Sequence, residues 1–416
     1  VTLSHIIING TLARANDAEV IIASYVIAMS LFSIMERLGV LLRNACSALV
    51  RDRVSFQAMS MVAVYVVATL MLLSATIAYT PIGPWIFAHI FGAESAMIGQ
   101  IVDVYQILII VTFFSAIRCL FQGVIILNRQ TKWLTIGMVI RLIGMYLLSL
   151  VFIHTGYINA KTGAYIFLFG MMIESLVSFI EGRLLVKKMT KKDPSHHVER
   201  KSQVFRFYYP LIISSLIIVM VGPVINIFLG RTAEIELAIA SYALALSLTQ
   251  LFLSFFSYTH QIVLTFYKDH PRKVRQFTLM IGFIPTLVLA LFCFTPIGPL
   301  VVEHVLGANE RLMLATVDTL KVFMVMTLVF PFIDYCNGIL MVRNQTNSMV
   351  ISQSSNLLIT SIVAISMTIL APAWNGMIGA MAQSLGMAVE LVVLLYIVTR
   401  GKRARLMKKK VEGLGV

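Results

Sequence analysis

Eleven long apolar stretches, each able to form a helix that crosses a bilayer, account for most of this chain. A spanning helix needs about 20 mostly apolar residues. Such stretches lie at roughly 19–50, 56–88, 97–127, 133–154, 162–186, 207–229, 236–267, 276–304, 312–342, 347–371 and 376–399, with a partial one at 1–14. Breakers fall where the connections are expected: Pro81, Pro84, Gly156, Pro194, Pro271, Pro296, Pro299 and Pro372. With 59% hydrophobic and 12% charged residues, the chain lies far from the ~45–50% and ~25% of soluble domains. This composition excludes a soluble globular fold, a disordered chain and a nucleic-acid-binding domain. Cys46, Cys119, Cys293 and Cys336 sit inside apolar segments without metal-ligand or disulfide spacing.

Orientation follows from lysine and arginine placement. Of the 33 lysines and arginines, 24 lie in one set of alternate loops, 4 in the other and 5 within spans. The basic set is expected to be cytoplasmic, with the loop from Lys187 to Gln203 and the C-terminus on that side. Basic loops of this kind set topology and meet anionic headgroups. Val1 opens in mid-span with no charged leader before it, so the numbered chain is expected to lack the start of its first helix.

The chain also repeats itself at an offset of about 215–217 residues. Thr80–Pro84, TPIGP, recurs at Thr295–Pro299, and Ala23-Ser24-Tyr25 at Ala240-Ser241-Tyr242. Asn9 and Arg14 match Asn226 and Arg231; His89, Gly92 and Asp103 match His304, Gly307 and Asp318; Gly170 and Glu174 match Gly386 and Glu390. Each half has an even number of spans, so both face the same way, as in parallel-repeat transporters. The expected fold is an all-α polytopic membrane protein of twelve transmembrane helices, the first truncated, in two six-helix lobes. The divisions are 1–186, a basic linker at 187–206, 207–400 and a basic tail at 401–416.

On this repeat the chain resembles the multidrug/oligosaccharidyl-lipid/polysaccharide flippase superfamily, with its two six-helix lobes around a central cavity. GPVINIFLGR at Gly222–Arg231, ASYVIAMSL at Ala23–Leu31 and the stretch from Gly376 to Glu390 are most similar to the progressive ankylosis protein group. The resemblance implies that fold and alternating access; no motif in the sequence points to enzymatic activity or a cofactor, and neither is expected. One departure is that the first span carries Asn9 where bacterial multidrug and toxin extrusion proteins often carry an acid.

Ionisable residues at membrane depth cost at least about 2.5–3.5 kcal/mol each and usually face a cavity or a partner. All four intramembrane arginines, Arg37, Arg43, Arg118 and Arg141, are in the first half. Guanidinium forks suit carboxylate and phosphate, so these four, with Gln122 on the Arg118 face, are the expected anion-binding set. Arg118 and Arg141 lead it, because no acid lies one helical turn away in sequence. Glu36 neutralising Arg37 or Arg43 is the competing reading. Asp334, mid-span beside Tyr335 and Asn337, is the first candidate for ion coupling, followed by Glu390, Glu174 and His260. For the pair Glu174 and Glu390, helix-to-helix hydrogen bonding is the favoured role. The paired TPIGP strings are read as loop-shaping, Asp103 and Asp318 as helix-start charges, and Trp85, Trp133 and Trp374 as interface residues.

No GxxxxGK[ST] run, catalytic triad or metal cluster is visible. The expected function is a secondary transporter or flippase in the cell membrane, acting as a monomer. Its expected cargo is an anionic small molecule or lipid-linked anion, with H+ or Na+ as coupling ion. A cation-coupled multidrug antiporter and a non-transporting scaffold or receptor are the alternatives.

Overall fold

The computed structural model describes residues 2–192, 201–205, 216, 219–254, 256, 259–267, 269–343, 345 and 347–412. Among these there is no strand, and ten helical stretches are long and apolar enough to cross a membrane, with Pro271–Phe294 counted as one.

The first lobe contains α1 (Thr2–Leu12), α2 (Ala18–Leu49), α3 (Arg53–Tyr79), α4 (Ser95–Leu127), α5 (Lys132–Thr155) and α6 (Ala160–Lys188). Their ends follow local chemistry. Asp52 and Ser55 form a capping box that starts α3, and Asn159 and Thr162 form another that starts α6. Gly156 closes α5 in the left-handed region at φ 71°. The second lobe contains α7 (Val221–Leu229), α8 (Ile235–Ser254), α9 (Thr259–Phe266), α10 (Pro271–Gly282), α11 (Ile284–Phe294), α12 (Glu310–Val342), α13 (Asn347–Leu370) and α14 (Gly376–Glu412).

Several expected spans are divided. The stretch expected at 276–304 is α10 and α11, separated at Phe283 just before Pro285, whose ring nitrogen has no hydrogen to donate. Both TPIGP strings end a helix early. Thr80 and Thr295 are extended, and a short helix then a π turn follow at Ile82–Ile90 and Ile297–Val305. Their hydroxyls repeat each other too: Thr80 Oγ1 donates to Thr76 O at 2.6 Å and Thr295 Oγ1 to Leu291 O at 2.7 Å. The span expected at 236–267 comprises α8 and α9, with 255, 257 and 258 outside the described residues. Most of the first half of the span expected at 207–229 is outside them as well. Helix α14 continues through the basic stretch expected as a tail, as far as Glu412; Lys, Arg, Leu and Met are good helix formers.

The lobes pack alike. In the first, α2 lies on α4, α4 on α6, and α5 on α6; in the second, their repeat mates α8, α12, α14 and α13 pair in the same order. Between lobes, α1 meets α8, α7 meets α2, and α2 meets α8. This reciprocity is the signature of a pseudo-twofold axis running along the helices.

Candidate functional site

Buried charge is concentrated in one place in the first lobe. The i, i+3, i+7 spacing puts Ser115, Arg118 and Gln122 on one face of α4. There they meet Glu174 from α6, Arg141 from α5 and Glu36 from α2. Glu174 is 6% exposed and every described contact of its carboxylate is with a donor. Arg118 Nη1 at 3.3 Å and Gln122 Nε2 at 2.9 Å donate to Oε1, and Arg141 Nη1 donates to Oε2 at 2.7 Å. Arg118 Nη2 reaches Ser115 Oγ at 3.3 Å and lies 3.8 Å from Glu36 Oε1, while Ser115 Oγ donates to Glu36 at 2.9 Å. Two guanidinium groups thus stand against two carboxylates.

This corrects the expectation that Arg118 and Arg141 offer unpaired forks. Both already grip Glu174, which comes from a helix more than 30 residues away along the chain. What remains open in the first lobe is Arg37 and Arg43. Both are half-buried on α2, and neither has an ion-pair partner within 4.0 Å among the described residues. The Nε of Arg37 is buried without a hydrogen-bond partner. A seven-residue step returns to nearly the same helix face, so Arg37 continues the face of Ser30.

Ser30 marks where the lobes touch. It accepts a hydrogen bond from Asn226 of the second lobe at 2.7 Å, and Ser247 accepts one from Asn9 at 2.9 Å. Asn9 and Asn226 are repeat mates, and so are Ser30 and Ser247, so one hydrogen bond is made twice. The signal was in the sequence: the offset of 217 that matched the asparagines also matches these serines. Further toward the end away from the basic loops, Arg14 donates to Val305 O at 2.8 Å and Arg311 pairs with Glu19 at 3.4 Å. The hydrogen bonds and ion pairs that join the lobes among the described residues thus lie in that half of the molecule. On α2 the buried run ends at Phe32 and residues 33–38 are half-exposed; on α8 it ends at Thr249, and Gln250 is exposed. Ser33 and Gln250 are repeat mates, so burial on the two interface helices falls off at the same level, toward the basic end.

The second lobe lacks the arginine cluster. Glu390, on α14 and 5% exposed, accepts from Asn356 Nδ2 at 2.6 Å, and Asn356 Oδ1 accepts from Thr360 at 3.1 Å. Asn356 is the repeat mate of Arg141. Asp334 is half-buried on α12. His260 falls in α9, and its side chain lies outside the described residues. Asp103 and Asp318 form exposed ion pairs, with Lys161 at 2.8 Å and Lys321 at 2.7 Å. The cysteines are free and buried, and no group of metal-ligating side chains occurs among the described residues.

No protein-family model matches this chain, and no curated protein matches it by sequence. Solved structures do. An inward-facing conformation of a multidrug resistance MATE family transporter of the MOP superfamily superposes at TM-score 0.73 and 18% identity, covering 98% of this chain and 96% of that one. The lipid II flippase MurJ, inward closed, superposes at 0.71 and 11% identity, covering 96% and 86%. An outward-facing MATE family transporter of the same superfamily superposes at 0.57 and 19% identity, covering 96% and 94%. The fold of this chain is therefore the two-lobed fold of those proteins.

Proposed function

We propose that this chain is a membrane transporter or flippase that moves its cargo by alternating access of its two lobes, and that the structure is its inward-open state. The observation that carries this reading is the seam. Repeat-mated contacts close one half of the lobe interface, and both interface helices become exposed at the same level toward the basic end. The excess of lysine and arginine in those loops supports a cytoplasmic placement, and the cell membrane is the proposed location.

The cargo carries an anionic group that Arg37 and Arg43 recognise. Arg37 continues the Ser30 face of α2 past the point where the lobes separate, and its buried Nε lacks a partner. An organic cation, the rival cargo, would need acids to dominate the opening. Glu174 is held by two arginines and Glu36 by Ser115 and Arg118, so neither is free for one.

Thermal stabilisation of the purified chain tests this. Inorganic pyrophosphate or citrate should raise the melting temperature, and tetraphenylphosphonium should not. Losing a charged hydrogen bond costs about 1.5–3 kcal/mol, or about tenfold or more in affinity. Arg37→Ala and Arg43→Ala should each weaken the anion response by that factor while leaving the unliganded melting temperature near the parent value. An anion response that survives in the double variant removes the proposed site. Stabilisation by the phosphonium alone transfers the reading to a cation antiporter, and stabilisation by neither favours a scaffold or receptor. Arg118 and Arg141 do not suit this test, because truncating either leaves Glu174 under-compensated.

A further inference from the structure

Duplication placed a carboxyl at the same position in both lobes, and the two copies have been given opposite surroundings. Glu174 receives two guanidinium groups and an amide. Glu390 receives one amide. Thr360 Oγ1 donates to Asn356 Oδ1 at 3.1 Å, and Asn356 Nδ2 faces Glu390 at 2.6 Å. The site is tight. A Cβ on Gly386, one turn before Glu390, would stand 2.1 Å from Thr360 Oγ1 and 2.6 Å from Asn356 Oδ1.

Among the described residues, the elements around Glu390 bring it no countercharge. The helix facing it through Asn356, α13, has no titratable side chain, and neither has α7. Helix α8 carries Glu236 and Tyr242, and α12 carries Glu310, Arg311, Asp318, Lys321, Asp334, Tyr335 and Cys336. Of the cations among these, Arg311 pairs with Glu19 and Glu234 and Lys321 with Asp318, and the hydrogen bond that reaches Glu390 comes from Asn356. A charge at membrane depth without a partner is costly. The group can meet that demand by taking a proton onto a carboxylate oxygen, from water and back to water, as the site opens and closes. A sodium ion is a poorer fit, because the facing amide presents N–H donors rather than its oxygen.

We propose that Glu390, held by Asn356 in the second lobe, is the proton-binding site of this chain, and that its first-lobe copy Glu174 is a fixed charge that does not exchange protons. The proposal adds an ion site to the transport reading. Its test needs no cargo, so it can fail while the cargo assignment stands, and the reverse.

The test is infrared difference spectroscopy of the full chain in lipid nanodiscs, titrated from about pH 5 to about pH 9, a range wide enough to catch a strongly displaced carboxyl. The parent should show the C=O stretch of a protonated carboxyl. Glu390→Gln should lose that band, and Glu174→Gln should retain it. Asn356→Leu, which keeps the carboxyl but strips its hydrogen bond, should move the band to higher frequency, so the assignment does not depend on one variant folding. A band that persists in Glu390→Gln, or no titrating band in the parent, overturns the proposal. Removal of the band at constant pH by sodium chloride but not potassium chloride assigns the site to Na+ and overturns it equally.

Discussion

Replacing Glu174 by Gln is expected to be the most damaging conservative substitution in this protein, and replacing its repeat mate Glu390 by Gln nearly harmless to stability. Glu174 is the sole described carboxylate in contact with Arg141 and one of two near Arg118. Both arginines are almost fully buried, at 8% and 3% exposure. The amide of Gln fills the same space but leaves two guanidinium groups against one carboxylate, Glu36, 3.8 Å from Arg118. Breaking a buried ion pair by removing one partner costs about 3–5 kcal/mol, because the surviving charge is uncompensated. At Glu390 the same exchange replaces one hydrogen-bond partner of Asn356 with another, at a cost of about 1 kcal/mol or less. Heating the purified variants and measuring the fraction that stays monodisperse reads the difference directly. The double variant Glu174→Gln with Arg141→Met should recover part of the loss, with a coupling of about 0.5–3 kcal/mol. Equal sensitivity of the two glutamates would mean that the arginines are compensated by something other than Glu174.

That asymmetry shows what a single sequence can and cannot express about such a chain. Span count, breakers and the duplication are local or periodic, and they were legible: the expected stretches 97–127 and 133–154 became Ser95–Leu127 and Lys132–Thr155. The packing order of the lobes follows from the duplication. The fate of Arg118 does not. Its neighbours one turn away along α4 carry no acid, which made it look unpaired, but its partner arrives from α6, 56 residues further on. Helix-to-helix pairing depends on which faces meet, and periodicity reports the face without reporting what lies opposite. The split at Phe283 was missed for a related reason. An unbroken apolar run satisfies a hydropathy reading whether or not Pro285 interrupts the hydrogen-bond ladder inside it. The asparagine–serine contacts between lobes are encoded in the repeat, because both members of each pair recur at one offset, but serine is uncharged and carries no membrane-depth signal of its own.

The seam those contacts form should be the molecule's most sensitive conformational control, and Gly230→Ala should spring it. Gly230 ends α7 against the Phe91–Gly92 turn of the other lobe, backbone on backbone. A Cβ there would sit 1.7 Å from Phe91 O, a distance no side-chain adjustment can relieve because the obstacle is main chain. The repeat mate of Gly230 is Ala13, and that copy of the seam is built differently: the Arg14 stem covers Gly307 and its guanidinium holds Val305 O at 2.8 Å. At that copy a Cβ on Gly10 would stand an ordinary 3.6 Å from Leu306 Cα, so the tight backbone approach is at Gly230. Overpacking of this kind costs about 1–3 kcal/mol, paid in the closed-seam state and not in the state where the lobes separate. A differential of that size changes a two-state ratio about 5- to 150-fold. Spin labels at Glu94→Cys and Glu310→Cys, at exposed starts of α4 and α12 in opposite lobes, read the separation, and the native cysteines are all buried. The parent should give one short distance population, and Gly230→Ala a second, longer one. Asn9→Ala with Asn226→Ala removes both reciprocal hydrogen bonds and should move the same populations in the same direction without adding bulk. If the glycine variant lowers stability but leaves the distance distribution unchanged, the seam is ordinary packing and the alternating-access reading loses its main support.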